Sequence, residues 1–294
     1  MDVTDRSSLP GRPSPAAERE ALPREIAGLA PLEPGFTALL DAGLREIGLE
    51  LSEAQRAAVE AHVKLLIAWN VHINLSGLRT ASDIARGHVL DALVAVPALR
   101  QLTRGRAEVT LLDIGSGGGF PGLPLAIALP ARRAALVDSI AKKASFLGAA
   151  AAVVSDALRA APAPQPEIVA LAERAEDLAD EPDQRDGWDL VVARAVGTVA
   201  EVAELGLPLA RRGGHVVAWK RASDAAARTA LNAEIADARR IVQAAGGAGT
   251  RIVGLAGAAK IGLDGDCLVV IRKVRPTPDR YPRSAGERRR RPLP

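Results

Sequence analysis

The spacing of apolar residues changes character twice along the chain. From Phe36 to about Arg104 it follows a helical period. Ser52-Glu53-Ala54-Gln55 reads as a capping box, in which the Ser and Gln side chains each satisfy an amide left free at a helix start. The helix it opens carries Val59, Val63, Leu66 and Ile67 on its apolar face. A further helix is predicted from Ser82-Asp83 through His88, Leu90, Ala92 and Leu93, with a stop at Pro97. From Val109 short apolar runs take over, at 109–113, 134–138, 168–171, 189–193 and 215–219. Helical stretches separate them, one capped by Ser139 and others around 198–211 and 222–245. Strands alternating with helices predict βαβ units, hence an α/β fold with a mostly parallel sheet covered on both faces. Two last runs, at 251–255 and 267–273, are joined by a Gly-rich stretch and predict an antiparallel edge. Residues 1–35 hold six prolines and no period, too little apolar surface to offset the entropy of ordering. The expected organisation is a disordered extension over 1–35, a helical subdomain over 36–104, a sheet domain over 105–275 and a basic tail over 276–294.

Composition narrows the partners. Hydrophobic residues make up 48% and charged residues 25% of the 294, the balance of a soluble globular protein. The first thirty residues hold no apolar signal core and no run of 18 apolar residues occurs, so a cytoplasmic protein without a membrane partner is expected. A single cysteine excludes a disulfide framework and a cysteine-based zinc site, and the four histidines lack metal-ligand spacing, so no metal is expected. Three Phe, three Trp and one Tyr are too few for a base-stacking platform. The net charge of +3 is unevenly spread: from Arg272 to the end nine basic residues face two acidic ones, a local +7 against −4 for the rest. Such an arm suits a polyanionic partner such as nucleic acid. A disordered solubilising tail is the alternative.

The candidate chemistry sits where the first predicted strand ends, in Asp113-Ile114-Gly115-Ser116-Gly117-Gly118-Gly119-Phe120-Pro121-Gly122. Glycines there let the backbone take positive φ and approach a ligand closely. Asp138 ends the second strand, where an acidic residue can accept hydrogen bonds from both hydroxyls of a ribose. Together these predict a nucleoside cofactor. Gly117, Gly119 and Gly122 also satisfy the dinucleotide pattern, so a nicotinamide cofactor is one reading. The carboxylate of Asp113, two residues before Gly115, sits poorly beside a diphosphate and suits the cationic end of S-adenosylmethionine.

Residues 113–130, with Leu136-Val137-Asp138-Ser139-Ile140-Ala141-Lys142-Lys143, resemble the class I S-adenosylmethionine-dependent methyltransferases. More narrowly, the chain resembles the glucose-inhibited division protein B family, the bacterial small-subunit ribosomal RNA (guanine-N7)-methyltransferases. Trp69-Asn70 with Asn74-Leu75-Ser76, His88-Val89-Leu90-Asp91-Ala92-Leu93 and Gly119-Phe120-Pro121-Gly122-Leu123-Pro124 carry the likeness, as do Arg174-Ala175-Glu176-Asp177, Val192-Ala193-Arg194-Ala195 and Tyr281-Pro282-Arg283-Ser284-Ala285-Gly286. It spans about residues 38–293; residues 1–37 have no counterpart in short members, and Arg221 follows Lys220 where the family often has Gly. The resemblance implies a Rossmann-like, seven-stranded, mostly parallel sheet with an antiparallel edge, preceded by a small helical subdomain. It implies S-adenosylmethionine as cofactor, small-subunit (16S) ribosomal RNA as partner, guanine N7 as acceptor, and Gly115, Phe120, Ala175, Glu176 and Arg194 as cofactor-binding residues. The reading of the residues themselves adds Asp113, Gly117 and Asp138. No catalytic acid or base is assigned, and a monomer is expected.

The acceptor is also approached through what is missing. Attack by an exocyclic amine usually comes with an Asn/Asp-Pro-Pro-aromatic loop, and the chain has no Pro-Pro. Attack at pyrimidine C5 needs a thiolate, but Cys267 falls in a predicted apolar strand. Guanine N7 has an in-plane lone pair and no proton to lose, so alignment alone can serve. Arg194 is expected to order the cofactor pocket or touch the target nucleotide, with structural pairing to a carboxylate as the other reading. His62, His72, His88 and His215 are expected to be structural, and Trp69 to pack between the helical unit and the sheet. A small-molecule methyltransferase, a nicotinamide oxidoreductase and a non-catalytic RNA-binding protein are the competing functions.

Overall fold

Caps and prolines set the helices of the N-terminal third. The computed structural model describes residues 22–104, 106–162 and 164–291. Helix α1 (Pro34–Glu46) starts on a proline, whose missing N–H costs nothing at that position. Helix α2 (Glu53–Asn70) starts on the Ser52–Gln55 capping box with both reciprocal hydrogen bonds present. Thr80 caps α3 (Ala81–Ile84), after which the backbone widens into a π-helical turn over Ala85–Leu90 and tightens again in α4 (Asp91–Leu93). Pro97 does not stop this run as its spacing predicts. It lies in the first turn of α5 (Val96–Leu102), where proline removes no intrahelical hydrogen bond.

Seven strands follow, β1 (Val109–Ile114), β2 (Ala131–Val137), β3 (Glu167–Leu171), β4 (Trp188–Arg194), β5 (Ala210–Arg221), β6 (Gly247–Gly254) and β7 (Asp266–Lys273). Their order is β3-β2-β1-β4-β5-β7-β6. The first five are parallel, and β7 enters antiparallel between β5 and β6. This is the mostly parallel α/β sheet with an antiparallel edge that the pattern predicts. Helices α6 (Gly122–Ala128), α7 (Ala141–Leu158), α8 (Ala175–Leu178), α9 (Val199–Gly206), α10 (Ala225–Ala244) and α11 (Ala285–Arg290) complete the chain. Every residue of β1 is buried, because helices cover both faces of the sheet.

Alternate strand residues feed two cores. Leu111, Leu136, Leu190, Val192, Val217 and Trp219 pack with α1, α2, α6 and α7. Leu112, Val137, Val191 and Val216 pack with α9 and α10 on the other face. The N-terminal helices therefore share a core with the sheet, and the change of period near residue 104 is no break in packing. Trp69 lies between α2 and α7, its ring 5.5 Å from that of Phe146, and its indole N–H donates to the Pro23 carbonyl at 2.6 Å. Residues 22–33 thus depart from the expected disordered extension: Leu22, Leu29 and Leu32 pack against this core. The rest of that extension, 1–21, lies outside the described residues. Among the described residues no helix is long and apolar enough to cross a membrane.

The basic tail differs most from a free arm. Lys273 is fully buried and donates to Asp186, to the Leu207 carbonyl and to Thr277. Arg185 donates to the carbonyls of Thr277, Pro278 and Tyr281, turning the chain back onto the body. Arg283 then forks onto both oxygens of Glu204, a carboxylate with no exposure at all. Arg288 reaches Glu176 at 2.9 Å. These are intramolecular uses of charge that the sequence reads as available to a partner. Arg283→Ala leaves Glu204 buried and unpaired, so the denaturant midpoint should fall by the equivalent of about 3–5 kcal/mol. Removing residues 276–294 should cost at least as much; a truncated chain of wild-type stability would refute the docking.

Candidate functional site

The sheet order reverses between β1 and β4, and in an open parallel sheet the ligand crevice lies beyond the carboxyl ends of such strands. Ile114 lies level with Val137 and with Ala193, so Gly115 after β1, Asp138 after β2 and Arg194, the last residue of β4, meet at one height. The glycine loop turns there with Gly115, Gly117 and Gly119 at φ of 70°, 54° and 85°, values open to glycine at little cost. A side chain at Gly117 would meet nothing nearer than 3.9 Å, so this face of the loop is open.

Five amides of the loop are already used. Ser116 N–H donates to the Val137 carbonyl at 2.9 Å, and Gly119 and Phe120 N–H both donate to the Ser116 carbonyl at 2.7 and 3.1 Å. Gly117 N–H donates to Asp138 Oδ2 at 3.1 Å, and Gly122 N–H to Asp113 Oδ2 at 2.9 Å. The two acids predicted to face a ligand therefore first close the loop. Asp113 is the deeper of the two. It is fully buried beneath the loop, and a Cβ at residue 122 would lie 2.6 Å from its Oδ2. Burial raises its carboxyl to about 7, against the pull of the Gly122 amide, and its Oδ1 has no protein partner. Asp138 accepts from Ile140 N–H through Oδ1 at 2.9 Å, which starts α7 without the expected Ser139 cap. A carboxylate offers four lone-pair positions, so two remain on Asp138 for a ligand.

The helical layer grips the same loop from the side. Phe120 lies between two imidazoles, with ring centroids 4.6 Å from His62 and 4.8 Å from His88. His62 is fully buried and its Nε2 is 2.8 Å from the Gly118 carbonyl. A carbonyl only accepts, so Nε2 carries the proton. Burial lowers both histidines to about 4, and they are neutral near pH 7. Arg194 crosses from the end of β4: its guanidinium pairs with Asp91 at 2.6 Å, lies 3.1 Å from His88 Nδ1 and stands 5.6 Å over the Phe120 ring. Arg194 thus has the carboxylate partner foreseen as its structural reading, and it also borders the loop. The next residue, Ala195, sits in the left-handed region at φ 57°, a strain of order 1–3 kcal/mol.

Ala175 and Glu176 lie at the start of α8, beyond the end of β3, both buried. The structure thus gathers Gly115, Gly117, Phe120, Asp138 and Arg194 around the crevice floor, with Ala175 and Glu176 at its β3 flank. Sequence reasoning missed the supports. His62 and His88 were assigned to structure in general, not to Phe120. Asn70 holds the turn after α2 by accepting from Leu75 and Ser76 N–H, and Ser76 Oγ lies 2.7 Å from His88 Nε2. Asn74, in one of the segments that carry the resemblance, is exposed. The signal was present, since Asn70, Ser76, His88 and Asp91 all fall in the segments that carry the family resemblance.

The signature of the rRNA small subunit methyltransferase G family matches residues 55–248. The chain is 39% identical over 249 residues to ribosomal RNA small subunit methyltransferase G of Roseiflexus sp. (strain RS-1), covering 85% of this chain and 96% of the relative. It is 36% identical over 246 residues to the protein of the same name from Roseiflexus castenholzii, covering 84% and 95%. To that of Pelotomaculum thermopropionicum it is 37% identical over 259 residues, covering 85% and 96%.

The histidine clamp has a pH signature. With its folded value near 4 and an ordinary value of 6.5, His62 binds a proton more readily in the unfolded chain. Its stabilising effect is therefore complete above pH 6.5 and is lost progressively as pH falls to about 4, to a total of roughly 3 kcal/mol. His62→Gln should lose correspondingly less stability than the wild type between pH 6.5 and 4 in denaturant titrations. Parallel pH profiles for the two proteins would refute the assignment.

Proposed function

This chain belongs to the rRNA small subunit methyltransferase G (GidB) family, and from that premise we propose that it transfers a methyl group from S-adenosylmethionine to N7 of a guanine in small-subunit ribosomal RNA. The observation that carries the choice of cofactor is the state of the glycine loop. A diphosphate needs free backbone N–H groups at such a loop. Here those of Gly117 and Gly122 are already bound to the carboxylates of Asp138 and Asp113. Two of the loop's donors are thus taken by acids that lie beneath the ligand, an arrangement that favours a cation over an anion. The unpartnered Oδ1 of Asp113 adds to this, because a nearby positive charge favours its ionised form.

When bound, S-adenosylmethionine supplies an electrophilic methyl group on a cationic sulfur. The open face of Gly117 lets it approach the backbone, the two remaining lone pairs of Asp138 suit ribose hydroxyls, and the start of α8 at Ala175–Glu176 suits the adenine. Arg194, fixed by Asp91, orders the side of the crevice nearest β4. It moves no proton, since guanidinium stays charged in proteins. Guanine N7 as acceptor requires none to be moved. The residues after β4 are Ala195-Val196-Gly197, without the Pro-Pro device of exocyclic amine methylation. Cys267 is buried in β7 and burial pushes its thiol up, away from a nucleophilic thiolate. Catalysis then rests on aligning N7, methyl carbon and sulfur, for which orientation can supply about 7–11 kcal/mol. The protein acts as a cytoplasmic monomer in this reading: Ile26, Val71 and Ile140 are the exposed large hydrophobics among the described residues.

Incubation with methyl-labelled S-adenosylmethionine and protein-free small-subunit ribosomal RNA, followed by nucleoside analysis, should yield 7-methylguanosine at one position. Label in another nucleoside would overturn the acceptor, and calorimetric binding of NAD but not S-adenosylmethionine would overturn the cofactor. Arg194→Gln should weaken S-adenosylmethionine binding by tenfold or more while the chain remains folded; unchanged affinity would remove Arg194 from the site.

A further inference from the structure

At the opposite end of the parallel strands, three strands bring basic side chains to one corner. His215 in β5 lies opposite Arg272 in β7, and Arg251 in β6 lies opposite Val270, two residues before Arg272. Opposed residues of an antiparallel pair share a face, as do residues two apart on one strand. His215, Arg251 and Arg272 therefore all point to the side on which Val217 and Val270 enter the core with the N-terminal helices. That helical layer stops short of them at Gln101 and Leu102, leaving an open cavity of about 490 Å³.

The charges in this corner are unspent. Arg106 and Arg211 nearby are both paired with Asp189. Arg251 and Arg272 are exposed, and neither guanidinium has a hydrogen-bond or ion-pair partner among the described residues. Burial, with Arg272, Arg251 and Arg211 adding to it, holds the His215 imidazole down at about 4, so it is a neutral group beside two cations. The edge strand β6 is irregular at the same place. Its register shifts between Ala248 and Arg251, which leaves backbone outside the ladder. Within the bulge Gly249 takes φ 66° and would have no atom within 4 Å of an added Cβ. Two free guanidiniums with fixed donor forks, an uncharged imidazole and an open glycine bulge make a concave receptor for a phosphate group.

We propose that the His215–Arg251–Arg272 corner binds a backbone phosphate of the RNA substrate, as an anchor distinct from the cofactor crevice; this rests on the functional reading above. From His215 the row of side chains runs through Val217 to Trp219, which pairs with Arg194. Four residues of strand span about 13 Å, short against a structured RNA. The anchor adds two unpaired cations to those of the tail, where Arg283 and Arg288 are committed to Glu204 and Glu176.

The test is the salt dependence of binding to protein-free small-subunit ribosomal RNA, measured for the wild type and for the R251A/R272A double variant. Removing one phosphate interaction lowers the slope of log affinity against log salt by about 0.7–0.9. The double variant strips both cations from that one phosphate, so its slope should be shallower by about 0.7–0.9 and its apparent KM for RNA raised tenfold or more. Its thermal midpoint and calorimetric affinity for S-adenosylmethionine should match the wild type. A wild-type slope and KM in a folded double variant would overturn the proposal. So would inorganic phosphate shifting the His215 imidazole resonances while RNA binding stays unchanged, because the corner would then be a small-anion pocket. A wild-type protein that binds S-adenosylmethionine but no ribosomal RNA would instead overturn the functional reading, and the anchor with it.

Discussion

The site is organised around the closing of a glycine loop by two carboxylates. Asp113 takes the amide of Gly122 from below and Asp138 takes that of Gly117 from the side. Because these bonds tie the loop to the ends of β1 and β2, the loop inherits the rigidity of the parallel sheet. The same bonds decide the sign of the ligand. A loop whose N–H groups are free attracts phosphate; here two of them are taken by acids that lie behind the glycine surface. A single allocation of hydrogen bonds thus fixes both geometry and selectivity.

The helical layer extends this logic. Phe120 is the loop residue with the largest side chain, and it is held between His62 and His88 instead of being left to solvent. Both imidazoles are neutral near pH 7, which lets them pack on an aromatic face without a charge to solvate. Asp91, from the same layer, fixes Arg194 on the other side of the crevice, and Trp219 donates to the Asp91 carbonyl. Because these helices share a core with the sheet, displacing them would disturb both walls of the crevice together.

What the sequence made legible was local. The period of the apolar residues gave the strands, and the Asp-x-Gly-x-Gly-x-Gly run located the crevice, because both depend on neighbours within a few positions. Pro97 misled because one residue type both stops a helix and starts one, and only the chain's path decides which. The acids were legible as chemistry but not as geometry: Asp113 faces the buried side of β1, where Gly122 leaves room for it. The clamp on Phe120 was not legible, since His62 acts on Gly118 across 56 positions. Glu204 and Glu176 look like ordinary helix acids until the tail docks on them from 79 and 112 positions away.

That last point changes how the charge of the chain is to be counted. The local +7 at the C-terminus invites a uniform electrostatic interpretation, yet an arginine locked to a buried carboxylate contributes little field outside the protein. Arg283 neutralises an acid that solvent cannot reach, so its first effect is on the fold. Arg288 neutralises Glu176 at the flank of the crevice, so its first effect is on the wall beside the cofactor. Conversely, Arg251 lies outside that arm and Arg272 at its very start, both in the edge strands, and among the described residues their guanidiniums remain unpaired. Recognition of a polyanion depends on charges that are free to exchange counterions, not on the total. The surface that meets RNA is therefore to be sought where basic side chains lack acidic partners, and in this fold that criterion points to a corner of the sheet as well as to the end of the chain.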